Sequence, residues 1–162
     1  MLSKNISEML NEQITKELYS AYLYQDIANY YSERGLKGFA NWFSVQAGEE
    51  LDHALKINGY LIDEGIKPVL AAIDAPSKKY ADDREPLAAA YEHEQYITAS
   101  VNAIFKAADE ADDYRTKRFL GWFIDEQAEE EKNAAELVTE YDLFGSDCHG
   151  LYLLDSKLKE RK

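Results

Sequence analysis

Apolar residues recur along most of this chain at intervals of three and four, the spacing that lines up one side of an α-helix. Ile6, Leu10, Ile14, Ala21, Tyr24, Ala28 and Tyr31 form a first stripe, and Phe39, Phe43, Ile57 and Tyr60 a second. Leu87, Tyr91, Val101, Phe105 and Ala108 form a third, and Phe119, Phe123, Ala134, Leu137 and Tyr141 a fourth. Turn signals separate them at Glu33-Arg34-Gly35, Glu64-Gly65-Ile66-Lys67-Pro68, Asp109 to Asp113 and Gly145-Ser146-Asp147. The pattern predicts helices over 5–33, 36–64, 83–110, 113–143 and 149–159. A helix of about 28 residues is about 42 Å long, and four of equal length make an all-α four-helix bundle. The fifth is short, with Leu151, Leu154 and Leu158 on one side, so it must pack on the bundle or on a neighbouring subunit.

The connector over 65–82 is far longer than the roughly 2–8 residues usual between bundle helices. Extended, it reaches about 55–60 Å, enough to return along the whole bundle and make the second and third helices parallel. All three prolines, Pro68, Pro76 and Pro86, lie in or just after it. Asp82 or Asp83 can cap the third helix, with Pro86 in its first turn.

Polar groups interrupt every stripe near its middle. The first passes through Glu17, the second through Gln46, Glu50 and His53, the third through Glu94, and the fourth through Gln127 and Glu130. At 1.5 Å rise per residue these groups fall at similar heights, roughly 17–26 Å from one end of the bundle. Four carboxylates buried together cost several kcal/mol each unless compensated. No Lys or Arg lies on the central stripes, and four shared protons in one core are implausible, which leaves metal ions. Two divalent cations balance four carboxylates. An oxygen-rich set with a single imidazole suits iron or manganese better than zinc or magnesium. Glu50 and His53, three apart, face the same way, so both can hold one metal while Glu50 bridges to a second. Tyr24, seven residues after Glu17 on the same face, either packs in the core or hydrogen-bonds the site.

Composition narrows the setting. The 162 residues carry a net charge of −13, which repels nucleic acid and anionic membranes and attracts cations. Cys148 is the single cysteine, which excludes an internal disulfide or a Cys-based zinc site and fits a reducing compartment. The polar start, Met1-Leu2-Ser3-Lys4-Asn5, does not read as a signal peptide, and no stretch is apolar enough to span a bilayer. A cytoplasmic location is expected.

Several segments resemble the ferritin family, specifically its prokaryotic non-haem branch. They are Asn11-Glu12-Gln13-Ile14, Leu36-Lys37-Gly38-Phe39, Glu49-Glu50-Leu51-Asp52-His53-Ala54, Tyr91-Glu92-His93-Glu94 and Glu126-Gln127-Ala128-Glu129-Glu130-Glu131. The similarity covers essentially the whole chain and implies one ferritin-like di-iron domain over 1–162. It implies a first ferroxidase iron position on Glu17, Glu50 and His53, and a second on Glu50, Glu94, Gln127 and Glu130. A third iron position would fall on Glu49, Glu126, Glu129 and Glu130, and Tyr24 and Trp122 match positions beside the site. The resemblance further implies Fe(II) and O2 as substrates, storage of ferric mineral, and a 24-subunit homo-oligomeric shell with the fifth helix at its four-fold axis.

This chain departs from related patterns in three places. Gln127-x-x-Glu130 stands where bacterioferritins and many di-iron oxidases carry a second Glu-x-x-His. Asp52 occupies the haem-binding methionine position, so no haem is expected. Lys117 and Leu120 replace the acids that line the three-fold pores of animal ferritins; Asp109, Glu110, Asp112 and Asp113 offer another acidic route. A di-iron oxidase or peroxidase that keeps its metals, or a scaffold with a vestigial site, would share this bundle; the ratio of iron to shell separates storage from the first, and absence of any tightly bound metal marks the second.

Overall fold

The structure, a computed structural model, describes residues 2–162. Helices α1 (Lys4–Glu33), α2 (Lys37–Asp63), α3 (Glu85–Glu110), α4 (Tyr114–Phe144) and α5 (Cys148–Leu158) follow one another, with no strand among the described residues. The expected all-α arrangement of four long helices and a short fifth is present, and each boundary lies within two residues of its expected position. Ser3 and Asp113 cap α1 and α4 by accepting from Ile6 N and Thr116 N. Two helices end on glycines in the left-handed region, Gly35 at φ +78° and Gly65 at φ +75°. There Leu36 N donates to Tyr31 O and Ile66 N to Leu61 O, closing the last turns of α1 and α2.

The third helix begins two residues later than expected. Asp82 Oδ1 accepts from Arg84 N and Glu85 N, and Pro86 sits in the first turn. Asp83 instead faces α1, where its carboxylate meets Arg34 and Tyr30 and its carbonyl accepts from Tyr31 Oη.

Contacts of the connector establish topology. Val69 N donates to Asn11 Oδ1 near the start of α1, and Tyr80 packs edge-on against Tyr30 near its end. The segment therefore runs along α1 and delivers α3 to the end where α2 begins. Lateral pairs agree: Gln13 with Ser100 and Ser20 with His93 set α3 antiparallel to α1. Gln46 with Glu130 and Tyr60 with Thr116 set α4 antiparallel to α2. Helices α2 and α3 are thus parallel.

The core is split in two. One apolar cluster includes Tyr24, Tyr31, Phe39, Phe43, Leu87 and Leu137; the other includes Ile6, Leu10, Ile57, Leu61, Val101 and Phe123. Between them lies a belt of buried polar side chains. Helix α5 docks on the first cluster through Leu154 and Leu158. Its Asp155 Oδ1 accepts from Gly38 N (2.6 Å) and Phe39 N (3.2 Å), capping an α2 terminus that has no side-chain cap of its own. A Cβ at Gly38 would overlap the Asp155 carbonyl, so glycine is what lets the two helices meet.

Candidate metal centre

The belt gathers the polar interruptions of all four stripes. Glu17, Glu50, His53, Glu94, Gln127 and Glu130 are all buried. Ligand atoms of Glu17, Glu50 and His53 lie within 4.8 Å of one another. A second group on the same criterion joins His53, Glu126 and Glu130. Glu94 and Gln127 are tied to each other, because Gln127 Nε2 donates to Glu94 Oε2 at 3.0 Å. That bond leaves the Gln127 carbonyl oxygen as its available ligand atom. Gln46 Nε2 links the halves by donating to Glu130 Oε2 (2.7 Å) and Glu50 Oε1 (3.2 Å).

Electrostatics show a site short of positive charge. Burial, then the neighbouring Glu50, raises the Glu17 carboxyl from 4.5 to about 8. Burial, then Glu94, raises Glu130 to about 7. Burial, followed by Glu94 and Glu130, raises Glu50 well above the carboxylate range, and burial raises Glu94. No Lys or Arg pairs with any of these four carboxylates among the described residues.

Unpartnered atoms point the same way. Glu17 Oε2 and His53 Nδ1 are buried without a hydrogen bond. The 3.4 Å approach of His53 Nδ1 to Glu50 Oε2 is an ion-pair distance that does not satisfy the ring nitrogen. Buried polar atoms are nearly always partnered, so an orphaned carboxylate oxygen and an orphaned imidazole nitrogen in one cluster suit a metal ion.

Tyr24 takes the hydrogen-bonding alternative and donates to Glu94 Oε1. Burial, then Glu94, holds its phenol well above the usual range, which keeps it a donor. Trp122 meets His53 edge-on at 5.4 Å, with Lys56 Nζ 3.9 Å from the indole centre.

The third set is only partly assembled. Glu126 Oε1 lies 3.8 Å from His53 Nε2, Glu129 is exposed, and Glu49 pairs with Arg161. Of the acids beside the α3–α4 turn, Asp109 pairs with Lys117, Glu110 with Lys106, Asp112 accepts from Tyr114 Oη and Asp113 caps α4, so all four already have structural partners.

Sequence reasoning missed an outer layer of partners. Gln13 Nε2 donates to Glu17 Oε1 (2.8 Å), Ser100 Oγ donates to Gln13 Oε1 (2.5 Å), and Lys16 Nζ donates to Ser100 Oγ (2.7 Å). This relay joins the Glu17 carboxylate to a cation on α1. Gln13 sits on the Leu10–Glu17 stripe, one turn before a carboxylate, and that position was the available signal. His93 Nε2 lies 2.7 Å from Ser20 Oγ, and burial lowers its imidazole to about 4, so it stays neutral.

Residues 7–144 match the family model described as a ferritin-like domain. A probable bacterial non-heme ferritin-like protein of Haemophilus influenzae is 37% identical over 158 residues, covering 98% of this chain and 96% of the relative. A bacterial non-heme ferritin of Campylobacter jejuni is 36% identical over 159 residues, covering 98% and 95%. Among solved structures, the open-pore ferritin of the archaeon Archaeoglobus fulgidus superposes with a TM-score of 0.97 at 37% identity, covering 100% of both chains.

Proposed function

The chain belongs to the ferritin family, and from that premise we propose that it stores iron and oxidises it within each subunit. The observation that carries the reading is the buried Glu17–Glu50–His53 cluster, whose orphaned oxygen and nitrogen sit among carboxylates with no counter-cation. Glu17, Glu50 and His53 receive one Fe(II). Glu50, Glu94, Gln127 and Glu130 receive another. Two Fe(II) supply four positive charges to four carboxylates.

Each Fe(II) gives up one electron, and one O2 takes those two electrons and two protons to become H2O2. Oxidation adds two positive charges that the ligands do not offset. Hydroxide drawn from water offsets them, and hydrolysis favours release of Fe(III) toward mineral. The neutral amide of Gln127 holds the second iron less tightly than a carboxylate would, which favours turnover over retention. Tyr24 fixes the Glu94 carboxylate through its hydrogen bond. Glu49, Glu126, Glu129 and Glu130 form a third position on the way inward.

The subunits assemble as a homo-oligomeric shell of 24, in the cytoplasm, without haem and without nucleic-acid or membrane partners. No helix is long and apolar enough to cross a membrane among the described residues.

The test is to add a large excess of Fe(II) in air to metal-free protein and analyse iron on a sizing column. Hundreds of irons co-eluting with a large assembly are expected. About two irons per subunit would identify an enzyme that retains its metals, and none a scaffold. Glu50→Ala and His53→Ala should each abolish fast oxidation while leaving the assembly intact; unaltered fast oxidation in both would remove the ligand assignment.

A further inference from the structure

The segment after α5 is strapped onto α2. Asn41 Nδ2 donates to Leu158 O (3.2 Å) and Arg161 O (2.9 Å), which fixes the backbone. The Arg161 guanidinium lies over the Trp42 ring, 4.4 Å from its centre, and Nη1 donates to Trp42 O at 3.3 Å. Its Nη2 then reaches Glu49 Oε2 at 2.5 Å. Only 22% of the Arg161 side chain is exposed, so this is not a freely waving surface pair. Glu126 and Glu130, by contrast, lie together beside His53, and Glu49 is not in that group.

We propose that Arg161 is a positioning residue that holds the Glu49 carboxylate away from the third iron position, so that iron binds there only by displacing the guanidinium. The proposal rests on the third position assigned to Glu49, Glu126, Glu129 and Glu130 above. A cation arriving between Glu126 and Glu130 recruits Glu49 by exchanging one positive partner for another. The exchange forfeits the charge-assisted bond to Arg161, while the stack on Trp42 and the bond to its carbonyl keep the guanidinium close enough to retake Glu49 when the metal leaves. Third-position iron is therefore held weakly and passed on, whereas the two positions built on Glu17, Glu50 and Glu94 feel no such competitor. Arginine suits the task because its planar group stacks and still presents several N–H donors, which a lysine cannot do.

Zn(II), which does not change oxidation state, tests this by calorimetric titration of the assembled, metal-free protein. Wild-type should bind two ions per subunit tightly and a third weakly. Arg161→Ala should tighten the third by about three- to tenfold and leave the first two unchanged, as expected for losing one partly buried ion pair. Arg161→Lys should fall between. Glu49→Gln should weaken the third ion, and Arg161→Ala in that background should then change nothing. That last comparison separates release of Glu49 from mere removal of a positive charge, which would tighten binding in both backgrounds. Equal third-ion affinity in wild-type and Arg161→Ala overturns the strap while leaving the third position standing. No third ion in wild-type or Arg161→Ala removes the third position, and the strap with it.

Discussion

Loading the buried carboxylates with a divalent cation must drive protons off them, because a metal and a proton compete for the same oxygens. At pH 7 a Glu17 carboxyl at about 8 carries about 0.9 of a proton and a Glu130 carboxyl at about 7 about 0.5. These two groups alone release about 1.4 protons per subunit at pH 7 and nearly 2 at pH 6, and Glu50 and Glu94, both raised, add to that. The apparent affinity should accordingly rise about fifty-fold between pH 6 and pH 7 from Glu17 and Glu130 alone. Zn(II) calorimetry in two buffers of different ionisation enthalpy reads the proton count directly. Fewer than about half a proton released at pH 7, or an affinity flat across that interval, would refute the electrostatic account of the belt. The same shifts set the stability of the metal-free protein. Both groups are raised above their ordinary value, so the folded state binds more protons than the unfolded chain. Their stabilising contribution is complete below about pH 4.5 and is lost as pH rises through 7 to 8, so metal-free protein should melt earlier at pH 8.5 than at pH 5.5. Zn(II) should abolish that slope.

The outer layer and the α5 dock offer two further tests. Gln13→Leu removes the donor that orients Glu17 while keeping an apolar-compatible volume; first-position Zn(II) affinity should fall about 10–100-fold with little change at the second, and an unchanged first position would exclude the relay. Gly38→Ala forces α5 off α2 and breaks two bonds to Asp155, so hydrogen exchange of α5 amides should accelerate about tenfold or more; equal protection would show that α5 is held by Leu154 and Leu158 alone.

Much of this architecture was readable along the chain because each helix carries its own boundaries. Gly35 and Gly65 mark the ends of α1 and α2, and the stripes from Ile6 to Tyr31 and from Phe119 to Tyr141 run unbroken by proline. The candidate ligands were legible for a related reason: a carboxylate at Glu17, Glu50, Glu94 or Glu130 contradicts the apolar periodicity on either side of it. What escaped were contacts between elements that no local pattern encodes. The Gln13–Ser100 bond needs the rotation of α1 against α3, Asp155 reaches Gly38 across 117 residues, and Arg161 reaches Glu49 across 112. The α3 start moved for the same reason. Asp83 is drawn to Tyr30, Tyr31 and Arg34 of α1, which leaves Asp82 to cover the first amides.

The division of the core explains how the fold tolerates such a belt. Four raised carboxylates and three orphaned atoms (Glu17 Oε2, Gln46 Oε1 and His53 Nδ1) in one layer are a net cost to the metal-free protein, which the hydrogen bonds from Gln13, Tyr24, Gln46 and Gln127 offset only in part. The rest of the offset lies above and below, in two apolar clusters that each draw residues from all four helices and close-pack Tyr31, Phe39 and Phe43 on one side and Ile57, Leu61 and Phe123 on the other. Helices clamped at both ends keep their inward faces in register at the middle, so the ligands are held in place by side chains that never touch a metal. It follows that the layer serves chemistry rather than stability. Replacing a buried charged pair with well-packed apolar groups is often neutral or stabilising. A bundle with an apolar middle would therefore hold together as well or better without metal, and would have nothing left with which to bind it.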